Sequence, residues 1–266
     1  MPELRMRVVV LVAIVVAAST GIGVAPAPEL PAELVALHEQ AGQGETEAQV
    51  SLGFTYRRGE GVLQNDVAAA RWFRAAAEQG DAAAQFNLGF HYREGRGVPQ
   101  DDARAIRWYR RAAEQGDADA QNNLGGMYAR GNGVQPNGAE AVRWWTLAAE
   151  QRHATAQYNL GFMYGDGLDL SGGPEDAVQA PGLAAQGGPA RAGDRLARSD
   201  TQTVPQDYVR AHMWLTLASR HGTGAVRDGA IQGRARAEQK MSAAELAEAR
   251  RRAREWRPAP GATSGP

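Results

Sequence analysis

The stretch AQFNLGFHYREGRGVPQDDARAIRWYRRAAEQG, residues 84–116, decides the fold because most of its features recur every 36 residues. A Leu-Gly pair and a tyrosine follow each Ala-Gln pair at fixed distances, and a tryptophan follows the first three. The Ala-Gln pairs begin at Ala48, Ala84, Ala120 and Ala156. A fixed period of this length indicates a repeat architecture, in which each unit buries its apolar face against its neighbours.

The first half of each unit predicts an amphipathic helix, called helix A below. In the second unit Ala84, Leu88 and Tyr92 are spaced at i, i+4 and i+8, which puts them on one face. The glycine beside the leucine lets a neighbouring helix approach, although a glycine inside a helix costs about 1 kcal/mol relative to alanine. A Gly-x-Gly element follows, here Gly95 and Gly97, and supplies the positive φ angles that end a helix.

The second half of each unit predicts another amphipathic helix, called helix B. It begins after a capping residue such as Asp101, whose side-chain oxygen can accept hydrogen bonds from free backbone amides. Its apolar positions recur at i, i+3, i+4 and i+7 and form one stripe that faces the core. In the second unit they hold Ala105, Trp108, Tyr109 and Ala112. Large aromatic residues beside alanines let the rows of side chains interdigitate, as stacked helical hairpins require.

Over residues 45–168 and 204–257 the chain resembles the Sel-one-like repeat (SLR) family, relatives of the tetratricopeptide repeats. The shared pattern is A-x-x-x-L-G-x-x-Y-x-x-G-x-G-V, an acidic or amide cap, and then A-x-x-W-x-x-x-A-A-E-x-G. The resemblance implies an all-α, right-handed α/α superhelical solenoid. It also implies a non-enzymatic adaptor scaffold that binds a protein or peptide partner and needs no cofactor.

Residues 1–24 predict a signal peptide or an N-terminal anchor. Arg5 and Arg7 precede an apolar run from Val8 to Ala18, and small residues follow, which is the layout of a secretory signal. The run is shorter than the roughly 18 to 20 apolar residues of a transmembrane helix. We therefore expect cleavage, favoured after Ala18, and a periplasmic or secreted protein. The alternatives are an inner-membrane anchor, which would be the chain's one membrane contact, and a cytoplasmic chain.

Other boundaries follow from where the repeat pattern starts and stops. Because exposed solenoid ends need caps, we expect capping helices at both ends of the array. The expected segments are a Pro-containing linker at 25–31, an N-terminal capping helix at 32–44, repeats at 45–168, helix B of the last repeat at 204–221, capping helices at 225–257 and a disordered tail at 258–266.

Residues 169–203 break the pattern, since glycine and proline crowd there and no aromatic residue lies between Tyr164 and Tyr208. The distance from Trp144 to Trp214 is 70 residues, nearly two periods, which argues against an inserted linker. Either a repeat has diverged here or the coding sequence shifts frame and returns, and the second account is preferred. Both predict a disordered or poorly packed stretch, because large apolar groups that would offset the ordering entropy are missing.

Composition excludes several classes of function. The absence of cysteine removes disulfides, thiolate zinc sites and cysteine nucleophiles, and a net charge of −1 gives no overall attraction to nucleic acid. The five histidines lack metal-ligand spacing, and the Gly-x-Gly elements follow helices, which excludes a dinucleotide fingerprint. The sequence thus offers no catalytic, cofactor-binding or metal-binding residues. A structural or self-associating envelope protein, and less readily a hydrolase, remain alternatives to the scaffold.

A candidate partner site lies on the second face of helix A. The position two residues after the leucine of the Leu-Gly pair is about 200° around the helix, away from the packing face. By similarity to tetratricopeptide repeats, this face lines a concave groove. The predicted strip contains Val50, Phe54, Arg57, Phe86, Phe90, Arg93, Tyr158 and Phe162. It suits an extended peptide with apolar anchors and carboxylates. Alternatively, the phenylalanines pack against the next hairpin and the arginines are solvated.

Overall fold

The computed structural model describes residues 31–167 and 204–259, and this part of the chain is helical and contains no strand. Its α-helices are α1 (Ala32–Gly42), α2 (Thr46–Arg58), α3 (Asp66–Glu78), α4 (Ala82–Glu94), α5 (Asp102–Glu114), α6 (Ala118–Arg130), α7 (Gly138–Glu150), α8 (Ala154–Phe162), α9 (Tyr208–His221), α10 (Gly224–Glu238) and α11 (Ala243–Glu255). A π-helical turn, Met163–Gly167, continues α8. The expected signal segment, the irregular stretch at 169–203 and most of the expected tail lie outside the described residues.

From α1 to α10, successive helices pack side by side, each against the helix before it and the helix after it, and α11 packs on α9. Helices α2, α4, α6 and α8 occupy the helix-A places, and α3, α5 and α7 are their helix-B partners. The predicted all-α solenoid is confirmed. Among the helices in the described residues, none is long and apolar enough to cross a membrane.

The central contact of each hairpin joins the glycine of the Leu-Gly pair to a large side chain of helix B. A β-carbon at Gly125 would lie only 2.6 Å from the Trp145 ring, and one at Gly89 would lie 2.9 Å from the Tyr109 ring. Tyr109 and Trp145 are almost completely buried. Glycine is therefore required here because the ring occupies the space that any side chain would need.

In the first two repeats the tryptophan slot of helix B is only half-buried, whereas Trp144 and Trp214 are buried. Trp108 is half-buried and its ring lies 4.7 Å from the Arg111 guanidinium, whereas Tyr109, the next residue, is fully buried. Trp108 belongs to the core-facing stripe, as the spacing predicts, but it packs against the core from its edge. The aromatic that follows it faces helix A directly, and the tryptophan lies at the edge of that contact.

The two glycines of each Gly-x-Gly turn have different roles. Gly95 ends α4 in the left-handed conformation, with φ of 67°. Gly97 lies against the preceding helix B, where an added β-carbon would approach the Asp66 carbonyl oxygen within 2.1 Å. The first glycine therefore ends a helix, and the second lets consecutive repeats stack closely.

A ladder of glutamines, in which those of the Ala-Gln pairs are buried, also links the repeats. The Gln85 amide donates to the Ala77 carbonyl of the preceding helix B at 3.2 Å, and its oxygen accepts from Gln115 at 2.8 Å. Gln121 and Gln151 repeat this arrangement one period later. The glutamine of each Ala-Gln pair thus satisfies backbone and side-chain groups that stacking buries.

The fourth hairpin is formed by α8 and α9, although 168–203 separates them. The Asp207 amide donates to the Tyr164 carbonyl at 2.8 Å, as Asn137 does to Tyr128 at 2.9 Å in the third repeat. A β-carbon at Gly161 would lie 2.4 Å from Leu215, which fills the usual aromatic place. Helix α9 is therefore helix B of the repeat that α8 begins.

This pairing makes 168–203 a long connection inside one repeat. From Tyr128 to Asn137 is nine positions, and from Tyr164 to Asp207 is 43. The two accounts of 169–203, a diverged repeat and a shifted reading frame, stay predictions, because these residues lie outside the described part of the chain.

Each end of the described array departs from the full repeat. Helix α1 occupies the place of a helix B. His38 in α1 accepts a hydrogen bond from the Tyr56 hydroxyl at 2.9 Å, and 36 residues later Arg74 of α3, a helix B, donates a hydrogen bond to the Tyr92 hydroxyl in the equivalent place. At the other end, α10 and α11 both pack on α9. These helices cover the last hairpin from two sides.

Replacing Gly125 with alanine tests the contact between glycine and aromatic ring. We expect Gly125→Ala to lower the free energy of unfolding by about 1 to 3 kcal/mol, because overpacking against Trp145 outweighs the gain in helix propensity. Gly42→Ala is the matched control, since a β-carbon at this helical position has no neighbour within 4 Å. Urea unfolding should leave that control unchanged or slightly more stable. Equal midpoints for the two variants would contradict the packing described here.

Candidate functional site

The predicted groove face lies where successive helices A approach one another. The Arg57 guanidinium donates to the Asn87 side chain at 2.6 Å, and Arg93 donates to Asn123 at 3.4 Å. These bonds join α2 to α4 and α4 to α6. Direct contact between helices A is what the inner side of a curved solenoid requires.

The first repeat places an aromatic ring among guanidinium groups on this face. The half-buried Phe54 ring lies 4.9 Å from the Arg57 guanidinium carbon and 5.1 Å from that of Arg58. Its other side meets Phe73 of α3 edge to face, with 5.2 Å between ring centres. Phe54 is therefore held against Phe73 on one side and lies beside two guanidinium groups, while part of the ring stays exposed.

The second repeat reproduces the arrangement one period later. Arg93 and Arg96 lie 5.6 Å and 5.3 Å from the centre of the half-buried Phe90 ring. Sequence reasoning misses Arg96 because it is the middle residue of the Gly-x-Gly turn, where the neighbouring repeats have Glu60 and Asn132. It also misses Arg58, although the predicted strip includes the adjacent residue Arg57.

The charge of these two clusters is not balanced locally. Burial lowers the pKa of the Arg57 guanidinium below its ordinary value, and the charges of Arg58 and Arg96 lower it further, while Asp66 opposes them. Arg58 pairs with Glu60 at 3.3 Å, but within the described residues neither Arg57 nor Arg96 forms an ion pair. Four arginines therefore face three carboxylates, Glu60, Asp66 and Glu94, which leaves a net positive charge around Phe54 and Phe90.

Three other predicted residues have a more structural setting. Val50 and Phe86 are half-buried and pack against the core, with the Phe86 ring 5.7 Å from that of Tyr109. Arg93 is only 13% exposed and pairs with Glu94 at 2.8 Å. Val50 and Phe86 therefore pack within the array, as the alternative expects of apolar positions, whereas Arg93 is neither solvated nor free to face an open groove.

The strip does not continue through the third repeat. Asn122, Gly126 and Ala129 occupy the places of Phe86, Phe90 and Arg93, and all three are buried. Asn122 accepts a hydrogen bond from Asn159 of the next helix A at 3.2 Å. The two phenylalanine–arginine clusters are consequently confined to the first two repeats.

The fourth repeat contains one clear error of prediction. Tyr158 is only 3% exposed, because α10 lies over it and a β-carbon at Gly229 would lie 2.8 Å from its hydroxyl. The prediction that Tyr158 lines an open groove is wrong. Phe162, one turn further along, remains half-buried and borders a cavity instead.

A buried histidine lies beneath the second cluster. His91 is fully buried between Phe73 and Phe90, and its Nδ1 donates to the Arg96 carbonyl at 2.7 Å. Among the residues that the structure describes, none forms a hydrogen bond with its Nε2. Burial lowers the pKa of His91, and the positive charges of Arg57 and Arg96 lower it further. The hydrogen bond to the Arg96 carbonyl and the negative charge of Asp66 act in the opposite direction but are outweighed.

Metal chemistry has no visible basis in the described part of the chain, where no group of three or more histidines and carboxylates is arranged to hold an ion. The histidines bond to neighbouring groups instead. His153 accepts from the Ala156 amide as the N-cap of α8, and its Nε2 lies 3.0 Å from Asp119. His221 takes the glutamine's place in the ladder by donating from Nδ1 to the Gln157 oxygen at 2.9 Å.

Comparisons with known proteins agree with this geometry. The sequence profile of the Sel1 repeat matches at residues 46–81, 82–117, 118–153, 154–180 and 192–223. The chain therefore belongs to the Sel1 repeat family, whose members are usually protein–protein interaction scaffolds with a typically non-enzymatic fold. The profile divides the fourth hairpin into two partial units, one containing α8 and the other α9. No curated protein matches the chain.

Solved structures include similar proteins. The crystal structure of a Sel1 repeat protein from Oxalobacter formigenes is 26% identical, with a TM-score of 0.55, over 80% of this chain and 81% of that one. A protective antigen of uropathogenic Escherichia coli with an SLR fold is 25% identical, with a TM-score of 0.48, over 84% of this chain and 55% of its own length.

The buried histidine generates a prediction about pH. Because its pKa is lower in the folded chain, the unfolded chain binds the proton more readily, so the free energy of unfolding falls as pH drops below about 6.5. Met127 and Met163 occupy the same place in later repeats. We expect His91→Met to lose less stability than the parent between pH 7 and pH 5, measured by urea unfolding. Parallel pH profiles would show that His91 does not titrate with folding.

Proposed function

We propose that this protein is a scaffold that binds an extended, acidic peptide segment of a partner protein along helices A of its first two repeats. The observation that carries the proposal is the pair of matching clusters, Phe54 with Arg57 and Phe90 with Arg96, one repeat apart. Each offers an aromatic face beside a guanidinium group. Aromatic residues and arginine are the side chains that most often anchor protein interfaces.

The charge balance favours a peptide that contains carboxylates. The positive charge of Arg96 helps to lower the pKa of Arg57, and a carboxylate bound between the two guanidinium groups would relieve this repulsion. Bidentate pairing between guanidinium and carboxylate is also among the stronger hydrogen-bonded contacts. The half-buried phenylalanines would contact an apolar side chain of the same segment.

The small residues of the third repeat limit the length of the site. With Gly126 and Ala129 in place of an aromatic residue and an arginine, the next repeat offers no third cluster. Two clusters at the repeat spacing suit a short segment with two apolar anchors, each followed by an acidic residue. Family membership supports a protein partner in general, and the clusters indicate the kind of segment.

Peptides selected from a random display library against the folded chain test the proposal. We expect enrichment of peptides with acidic residues next to aromatic or aliphatic ones. Phe90→Ala and Arg96→Glu should each weaken their binding about tenfold, measured by fluorescence anisotropy, because each removes one anchor.

Arg107→Glu is the matched control, because it makes the same charge change at an exposed arginine of α5, on helix B. It should leave the affinity within about twofold, since long-range effects between exposed charges are screened by salt. Circular dichroism should first show that all variants keep their helix content. Selected peptides without acidic residues, or equal loss of affinity in all three variants, would contradict the proposed groove.

A further inference from the structure

A cavity of about 220 Å³ lies where α8, α9 and α10 meet, in the fourth repeat and away from the phenylalanine–arginine clusters. Gly161 and Gly165 line it from α8 and the π-helical turn, and Gly233 lines it from α10. The Leu215 side chain packs on Gly161 and Gly233, and at Gly165 a β-carbon would meet only Ala211 at 3.5 Å, so the cavity lies beside Leu215 where no larger side chain covers it. A π-helical turn inside a helix is uncommon and is often found at functional sites.

The floor of the cavity is apolar. It is formed by Phe162, Leu215 and Ala237, of which Leu215 and Ala237 are almost fully buried. At this volume the cavity is smaller than sites for drug-sized ligands, which usually exceed about 300 Å³. It therefore suits a single apolar side chain.

The rim of the cavity is cationic. Arg236 and Lys240 line it together with the amide of Gln239, and the described lining residues include no carboxylate. Within the part of the chain that the structure describes, neither cation forms an ion pair, whereas the nearby Arg234 approaches Glu238 at 3.9 Å. The C-terminus of α10 contributes only about half a negative charge, so the rim stays positive.

We infer that this cavity binds a monocarboxylate that carries one apolar side group, with the carboxylate between Arg236 and Lys240 and the side group over Phe162 and Leu215. The C-terminal residue of a polypeptide and a free acylated amino acid both have this chemistry. The site is separate from the proposed peptide groove, because none of its lining residues belongs to the first two repeats.

The chain itself offers a probe, since Lys240 is its only lysine. Reductive methylation with ¹³C-formaldehyde keeps the positive charge and gives one lysine signal in an NMR spectrum, besides that of the α-amino group. Titration with N-acetylphenylalanine should shift the lysine signal to saturation. N-acetylphenylalaninamide and acetate should each bind at least about tenfold more weakly, because one lacks the charge and the other the apolar group.

Arg236→Gln should weaken N-acetylphenylalanine binding about fivefold or more. Arg227→Gln, at an exposed arginine of α10 that does not line the cavity, should leave the affinity unchanged. Phe90→Ala should also have no effect, which separates this site from the peptide groove. Equal affinity for the acid and its amide, or equal loss in the two arginine variants, would overturn the inference.

Two peptides that end in phenylalanine, one with a free carboxylate and one amidated, identify the source of the ligand. Binding of the free-acid peptide alone would assign the cavity to a polypeptide C-terminus. If neither peptide shifts the Lys240 signal while N-acetylphenylalanine does, the site takes a small free carboxylate. Equal binding of both peptides would count against recognition of the carboxylate.

Discussion

The structure depends on one packing contact in each hairpin, in which a large side chain of helix B lies directly on the glycine of the Leu-Gly pair in helix A. In the described repeats the seated residues are Phe73, Tyr109, Trp145 and Leu215. Because each side chain occupies the space of an absent β-carbon, the two helices of a hairpin lie close together. That close approach positions the buried leucines and alanines and the glutamine ladder, which then joins one hairpin to the next.

Close stacking also creates the charged surface. Successive helices A lie near enough for Arg57 to bond to Asn87, and this brings Arg57 into the field of Arg96 from the next repeat. The turn glycine Gly97 permits the approach by lying directly on the backbone at Asp66. A positive aromatic surface therefore arises from the same packing that stabilises the array, and small residues at Gly126 and Ala129 end it.

Much of this could be predicted from sequence because the repeat period fixes which residues are equivalent. The helix pairs, the turn glycines and the face of Phe54 and Phe90 all follow from periodicity. Residues that differ between repeats escape this reasoning. Arg96 lies at a turn position with no shared chemistry, and Tyr158 is covered by α10, a helix that lies after the irregular segment.

Other differences arise because spacing carries no information about partners in space. The adjacent aromatics Trp108 and Tyr109 share a stripe on a helical projection, but one is half-buried and the other fully buried. The 70-residue tryptophan spacing likewise suggests a lost repeat. The Asp207–Tyr164 and His221–Gln157 hydrogen bonds instead place α9 as the partner of α8.

Deletion of residues 170–203 tests the central claim, that one seated side chain per hairpin builds four repeats. The shortened chain would join Asp169 to Val204 and restore nine positions between Tyr164 and Asp207. If α8 and α9 form one hairpin, the shortened chain should unfold in one cooperative transition, followed by circular dichroism, at an equal or higher urea midpoint than the full chain, because a shorter connection costs less closure entropy. A lower midpoint, or a separate early transition, would contradict the account.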